Sequence, residues 1–210
     1  MKFSGKILAA ALFLTTVVDA AQAMMPAVTE SVPAFDSVET EAGRVKLQYP
    51  QLREGTALMR FRINSAVAGD MAQFQKRIAQ KEDASGWTSW FVGCADSDVV
   101  SILLTESTYY DHAAHPTTHV RCLNFDGEGR RISRETMLKK VETNPEKMRF
   151  LIFEQTKARQ IPVFESSVGN LSAWPEAWYI GNDRKIYFIF QQYEIAPYAS
   201  GWIEIAAGTW

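Results

Sequence analysis

A run of large apolar residues near the C-terminus is the feature that most constrains the fold of this chain. The run is Ile186–Phe190, inside the sequence KIYFIFQQYEIAPYASGWIEIA. Large apolar side chains at successive positions are typical of a strand that is covered on both faces. Pro197 lacks an N–H group and Gly201 tolerates positive φ, so together they predict a tight bend. The apolar pattern resumes after the bend, and the segment therefore predicts the strand pair around which the chain is organised.

The N-terminus has the features of a secretory signal peptide. Lys2 and Lys6 provide a positive start, Ile7–Val18 is a short apolar core, and Ala21–Ala23 fits a small-x-small cleavage pattern. A membrane-spanning helix needs about 20 apolar residues, so this core is short for a retained anchor, which is the alternative. We therefore expect residues 1–23 to be removed and the protein to be exported, to the periplasm or outside the cell.

The length and the net charge of the chain limit the classes of function that it can have. The chain has 210 residues and a formal net charge of −2. Nucleic acids and anionic membrane surfaces are bound through clustered Lys and Arg, so this near-neutral balance argues against both as partners. Residues 24–43 contain Pro, Gly, Ser and Thr and predict a linker or disordered arm. Residues 44–210 predict a single domain, with no transmembrane anchor after signal cleavage.

Hydrophobic periodicity indicates the order of the secondary-structure elements. The predicted strands are 44–49, 87–94, 99–109, 117–124, 177–180, 185–192 and 202–206, and the predicted helices are 56–80, 131–141 and 145–159. Strands precede and follow the helices without β–α–β alternation. This order predicts an α+β fold in which a mainly antiparallel sheet packs against two or three helices.

Cys94 and Cys122 are the two cysteines of the chain. An exported protein meets an oxidising environment, where an even number of cysteines favours a disulfide. We therefore expect a Cys94–Cys122 bridge, with two buried free thiols as the alternative.

The three histidines lie together in the sequence DHAAHPTTH. Asp111, His112, His115 and His119 form a candidate metal-ligand set, because imidazole and carboxylate groups bind Zn²⁺. Pro116 interrupts any helix that would align these side chains, and no carboxylate lies between the histidines as in short metal motifs. The favoured interpretation is therefore a loop that His115 fixes by packing or hydrogen bonding, without a metal or cofactor.

Other catalytic signatures are not found in the sequence. It has no Gly-x-Ser-x-Gly elbow and no glycine-rich phosphate loop. Pairs of carboxylates could still meet in space, which a sequence does not reveal.

Aromatic residues are the second candidate for function. The chain has six Trp and seven Tyr residues, and exposed rings of this kind suit sugar stacking or a protein partner. Most aromatic rings fill a core. Trp174 and Trp178 precede the final hairpin in an irregular segment, and we expect these two to be the most exposed.

An ordered set of short motifs resembles a family of exported bacterial domains of uncharacterised function, the DUF3298/DUF4163 type. In chain order the motifs are LQYPQL at 47–52, IN at 63–64, VVSI at 99–102, AHP at 114–116, LNFD at 123–126 and FQQYEIAPYASG at 190–201. The resemblance covers residues 44–206. This part of the chain is similar to the domain found outside the membrane in lysozyme-sensing anti-sigma factors and beside the catalytic domain of some peptidoglycan deacetylases.

The resemblance implies an α+β domain with an antiparallel sheet and a binding role at the cell envelope. We therefore expect a non-catalytic domain that contacts peptidoglycan or a cell-wall-active protein such as lysozyme. The alternative is a hydrolase, with or without a bound metal, that acts on envelope substrates through the Asp111 and His115 loop. The candidate binding residues are His115, Tyr193, Tyr198, Trp174 and Trp178.

Overall fold

The computed structural model describes residues 35–210, so the predicted signal peptide and residues 24–34 lie outside the described residues. The strands are β1 (Phe35–Ala42), β2 (Val45–Leu52), β3 (Ala84–Ala95), β4 (Val99–Tyr110), β5 (Thr117–Asp126), β6 (Trp178–Ile180), β7 (Lys185–Phe190) and β8 (Ile203–Thr209). The helices are α1 (Ala57–Ala79), α2 (Arg134–Leu138), α3 (Pro145–Ala158) and α4 (Glu165–Gly169), with a 3-10 turn at Tyr198–Ser200.

The described strands form two sheets that are mostly antiparallel. The first sheet has the order β1-β2-β3-β4-β5 and the second the order β6-β7-β8. The α+β fold class predicted from the sequence is confirmed. The predicted absence of a β–α–β unit was wrong. Helix α1 connects β2 to β3, and these two strands pair in parallel at Val45–Gly86 and Lys46–Trp87. A parallel pair needs such a crossover connection.

The elements stack in four layers. One core joins α1 to the first sheet, a second lies between the two sheets, and a third joins the second sheet to α2, α3 and α4. Strand alternation explains the order, because successive side chains point to opposite faces. Phe188 and Phe190 face the C-terminal helices, whereas Ile189 faces the first sheet. The apolar run Ile186–Phe190 is therefore covered on both faces, as the sequence predicts.

The buried side of α1 is an apolar stripe with helical spacing. Its buried residues are Met59, Ile63, Val67, Met71, Phe74 and Ile78. Thr56 caps the helix, because its side chain accepts a hydrogen bond from the Met59 N–H group. None of the helices in the described range has both the length and the apolar character needed to cross a bilayer.

Helix α3 begins at a capping residue. Asn144 accepts hydrogen bonds from the backbone N–H groups of Glu146 and Lys147, and Pro145 occupies the first turn of α3. The helix predicted at 131–141 is shorter in the structure, where α2 covers Arg134–Leu138.

The predicted arm at 24–43 is partly a strand. Phe35–Ala42 form β1, which pairs antiparallel with β2 along its whole length, from Phe35–Leu52 to Ala42–Val45. The side chains of β1 are mostly exposed, so its sequence does not show the alternating apolar pattern of a half-buried strand. The backbone pairing with β2 therefore forms this strand, and hydrophobic periodicity does not reveal it.

A buried polar relay joins the two sheets. Ser101 donates to the side-chain oxygen of Asn124, and the Asn124 amide donates to the Trp178 carbonyl at 2.7 Å. The Ile180 N–H group donates to the Ser101 hydroxyl at 3.0 Å. Each of these polar groups is buried and gains a partner, so the relay fixes the position of β6 against β4 and β5.

The predicted Cys94–Cys122 disulfide was wrong, because both cysteines are free. Cys94 lies on β3 and Cys122 on β5, with β4 between them. Two strand spacings are about 10 Å, whereas the Cα atoms of a disulfide lie within about 7 Å. The alternative of two free thiols is the one observed.

Both thiols are expected to be inert in the folded protein. Burial raises the pKa of Cys94 to about 11, and burial also raises the pKa of Cys122. The thiolate is the reactive form, so a thiol reagent at neutral pH should modify neither cysteine while the protein is folded. Unfolding in guanidinium without reductant should release two reactive thiols per chain, and release of none would contradict the free-thiol assignment.

Candidate functional site

Three of the predicted site residues meet at one end of the first sheet. The loop between β4 and β5 carries His115, and the segment between β7 and β8 carries Tyr193 and Tyr198. The His115 ring stacks on the Tyr198 ring, with 3.7 Å between centroids and 23° between planes. The Tyr193 ring lies 6.3 Å from His115 and 5.7 Å from Tyr198. We call His115, Tyr193 and Tyr198 the aromatic cluster.

Hydrogen bonds fix the orientation of the imidazole in this cluster. The Pro116 carbonyl lies 3.1 Å from His115 Nδ1, and it also accepts a hydrogen bond from the Tyr198 hydroxyl at 3.1 Å. A carbonyl accepts, so Nδ1 carries the proton, and Nε2 of the neutral ring is left as an acceptor. The Tyr193 hydroxyl lies 3.4 Å from that Nε2 atom. These contacts hold the His115 ring against its loop and against the segment that carries Tyr193 and Tyr198.

Two glutamines attach the segment after β7 to the edge of the first sheet. The Gln192 side chain accepts from the Thr118 N–H group at 2.9 Å. The Gln191 side chain accepts from the Val120 N–H group at 2.8 Å and donates to the Val120 carbonyl at 3.0 Å. β5 is the last strand of its sheet, and these amides satisfy groups that an edge strand leaves unpaired. The bend is thereby held beside the histidine loop.

Backbone conformation presents the Tyr193 ring to solvent. Tyr193 adopts a φ of 65°, in the left-handed region that a large side chain rarely occupies. Its side chain is 55% exposed, although it is a large aromatic residue. An unusual backbone conformation combined with an exposed ring is a feature that points to function. The cluster therefore offers an exposed ring face bordered by hydroxyl and imidazole groups.

The two tryptophans that were expected to be exposed are buried. Trp174 is 3% and Trp178 is 5% exposed, so the expectation for these residues was wrong. Trp174 stacks on Phe188 with a centroid distance of 4.5 Å, and its Nε1 atom donates to the Glu142 carbonyl at 2.7 Å. Trp178 is the first residue of β6 and faces the C-terminal helices. Neither ring is available to a ligand.

The candidate metal ligands do not converge. Asp111 forms an ion pair with Arg44, whose hydrogen bond lowers the pKa of the carboxylate. His112 lies in an exposed turn with a φ of 69°, His115 belongs to the aromatic cluster, and His119 lies on β5. Within residues 35–210, no group of three His, Cys, Asp or Glu side chains is placed to hold a metal ion. Pro116 separates the loop from the strand, which is why the sequence spacing does not become a spatial cluster.

A charged groove that was not predicted from the sequence lies beside the aromatic cluster. It has a volume of about 530 Å³ and runs between the C-terminal part of α1 and the strands β4 and β5. We call it the charged groove. Its lining residues are Phe74, Arg77, Glu106, Thr108, Tyr110, Thr117, His119 and Arg121.

Glu106 lies at the base of the charged groove and is 5% exposed. Arg77 donates to its Oε2 atom, and Arg121 Nε lies 3.8 Å from its Oε1 atom. Burial raises the pKa of Glu106 more than the two arginines lower it. The pKa of His119 is lowered, first because part of the ring is removed from water and then because Arg121 and Arg77 lie nearby.

A sequence signal for this groove exists in β4. Val100, Ile102 and Leu104 alternate on the strand face that packs against α1, and Glu106 occupies the next position of the same series. A carboxylate on an otherwise apolar strand face is rarely buried without a partner. The sequence position therefore marks Glu106 as unusual. Its partners, Arg77 on α1 and Arg121 on β5, are brought to it only by folding.

Comparison with known proteins agrees with this architecture of two sheets and flanking helices. Residues 131–206 match the family described as "Protein of unknown function (DUF3298)". No curated protein matches the chain. Among solved structures, a DUF3298 family member from Bacteroides fragilis is similar with a TM-score of 0.57 and 15% identity, covering 83% of this chain and 89% of that chain. A DUF3298 family protein from Pseudomonas aeruginosa is similar with a TM-score of 0.54 and 12% identity, again covering 83% and 89%.

These matches confirm the DUF3298 part of the predicted resemblance for residues 131–206. At such low identity, the likeness to the two solved structures shows a shared fold. The segment between β7 and β8 that carries Tyr193 and Tyr198 lies inside the matched region. The histidine loop and the charged groove lie before it in the chain and belong to the first sheet.

Proposed function

We propose that this chain is an exported, non-catalytic binding domain of the bacterial cell envelope that contacts the glycan of peptidoglycan. The observation that carries the proposal is the aromatic cluster, in which Tyr193 is 55% exposed while hydrogen bonds hold His115 and Tyr198 beside it. A sugar ring presents an apolar face and a rim of hydroxyl groups. Aromatic faces with adjacent hydroxyl and imidazole groups suit both parts.

The contacts support binding more than hydrolysis. General acid–base catalysis needs a titratable group that is oriented by a partner and free to reach its substrate. His115 Nδ1 faces the Pro116 carbonyl, and its Nε2 atom faces the Tyr193 hydroxyl. Asp111 pairs with Arg44 instead of orienting the imidazole. The loop therefore supplies a rigid support for the exposed ring.

A binding assay with purified peptidoglycan sacculi tests the proposal. The protein should sediment with sacculi in a saturable manner, and a soluble glycan prepared from sacculi should compete. Lysozyme in solution serves as the protein alternative in a parallel titration. Binding to lysozyme without binding to sacculi would favour a protein partner and contradict the glycan proposal, as would no binding to either.

Replacing Tyr193 should weaken binding to sacculi about tenfold, which corresponds to ~1.4 kcal/mol. Tyr193→Asn removes the exposed ring, and asparagine tolerates the positive φ of this position. The Phe61→Ala variant is a matched control, because Phe61 is also an exposed ring, at 69%, but lies on α1. Equal affinities for the Tyr193→Asn and Phe61→Ala variants would contradict a role for the aromatic cluster.

A further inference from the structure

We propose that the charged groove is a saccharide subsite in which one sugar hydroxyl bridges Glu106 and Arg121. The inference rests on the proposed glycan-binding function and identifies a second contact region for the same ligand. Glu106 Oε1 and Arg121 Nε are both buried, and neither has a hydrogen-bond partner among the described residues. They lie 3.8 Å apart, which is too far for a direct hydrogen bond.

The chemistry of this pair selects a group that both donates and accepts. Glu106 Oε1 accepts as a carboxylate, whereas Arg121 Nε–H is a donor. An ammonium group would satisfy Glu106 alone, and a carboxylate would satisfy Arg121 alone. A hydroxyl group can donate a hydrogen bond to Glu106 Oε1 and accept one from the Arg121 Nε–H group. A polyhydroxylated ligand therefore satisfies both atoms at once, with one of its hydroxyl groups in the place that a bridging water would otherwise take.

Other contacts hold the two groups in place before a ligand arrives. Asp70 on α1 lies 3.3 Å from the terminal nitrogen of Arg121 and anchors its outer end. The Arg77 guanidinium lies 5.6 Å from the centre of the Phe74 ring and donates to the second oxygen of Glu106. Fixed side chains lose little conformational freedom on binding, so such a site is preorganised.

The walls of the groove fit the same ligand class. Thr108 and Thr117 add hydroxyl groups, and Tyr110 adds a ring that is 37% exposed. The groove volume of about 530 Å³ lies within the range of small-molecule sites. These features accommodate a sugar ring and several of its hydroxyl groups.

The groove is continuous with the aromatic cluster along β5. Thr117 lines the groove and directly follows Pro116, whose carbonyl holds both His115 and Tyr198. His119 lies two positions further along the strand, on the same face as Thr117. A glycan chain lying along β5 could therefore contact the cluster with one sugar and the groove with another.

Nuclear magnetic resonance with a β-1,4-linked N-acetylglucosamine tetrasaccharide tests this subsite. Titration into ¹⁵N-labelled protein should shift the amide signals of residues 117–121 and of the C-terminal half of α1. The Arg121→Lys variant retains the positive charge beside Asp70 and Glu106 but lacks the Nε–H donor. Its affinity for the tetrasaccharide should fall about tenfold.

The Arg62→Lys variant is the matched control, because Arg62 lies on α1 nearer its N-terminus and contacts the Glu128 carbonyl. Its affinity should equal that of the unmodified protein. Shifts confined to the aromatic cluster, or equal affinities for the two lysine variants, would overturn the subsite while the proposed function stands. Binding to neither tetrasaccharide nor sacculi would overturn both. The titration of the unmodified protein decides the location of binding even where a variant is unstable.

Discussion

Replacing Phe188 by alanine is expected to lower the free energy of unfolding by about 3–5 kcal/mol, the largest effect of any substitution considered for this protein. Phe188 is fully buried at the centre of β7. Its neighbours across the sheet are Trp178 on β6 and Ile205 on β8. Its ring also stacks on Trp174 with an interplanar angle of 5°. Truncation removes this contact area and leaves a cavity that surrounding strands cannot close.

Denaturant unfolding followed by tryptophan fluorescence measures this effect, with Phe150→Ala as the matched control. Phe150 lies on α3 and is 62% exposed, so the same truncation there should change stability by no more than about 0.5 kcal/mol. Similar losses for the two variants would show that β7 is not the centre of the core.

The position of Phe188 also shows what the sequence could predict. An uninterrupted apolar run requires cover on both faces, and the structure supplies the first sheet on one face and the C-terminal helices on the other. The helices predicted at 56–80 and 145–159 are likewise present as α1 and α3, because helical periodicity and capping depend on neighbours in the sequence. Local chemistry therefore determined the elements that carry their own pattern.

Features that depend on distant partners were not predicted. β1 is a strand because β2 lies beside it, and its exposed side chains carry little apolar pattern. Trp174 is buried because its ring stacks on Phe188 and its N–H group donates a hydrogen bond to the Glu142 carbonyl. The even number of cysteines favours a disulfide, but β4 lies between the strands that carry Cys94 and Cys122. Each of these outcomes is set by tertiary packing.

The candidate site was predicted in the same partial way. The histidine loop and the bend after β7 were both recognised from the sequence, and the structure brings His115, Tyr193 and Tyr198 together. The charged groove combines residues from α1, β4 and β5, which lie far apart in the chain. Its central contact, Glu106 with Arg77 and Arg121, has no local signature beyond one carboxylate on an apolar strand face.

The second large effect is expected at Gly93, where β3 lies against β6. A Cβ atom at this position would lie 2.5 Å from the Ile180 carbonyl oxygen and 2.6 Å from the Tyr179 ring. The carbonyl belongs to the backbone, so it cannot rotate away as a flexible side chain would. Gly93→Ala should therefore force the sheets apart and cost about 2–3 kcal/mol. Because the pairing of β3 with β4 changes register between Val92 and Cys94, this point of the strand is already irregular.

Thermal unfolding measures the effect of Gly93→Ala as a decrease in Tm of about 4–12 °C for a domain of this size. Gly169→Ala provides the control, because a Cβ atom at Gly169 would meet nothing within 4 Å. Gly169 also ends the short helix α4, where alanine has the higher helix propensity. The control should therefore be neutral or stabilising by up to about 1 kcal/mol. An unchanged Tm for Gly93→Ala would mean that β6 can move away from β3 at little cost, which contradicts the tight apposition of the two sheets at this point.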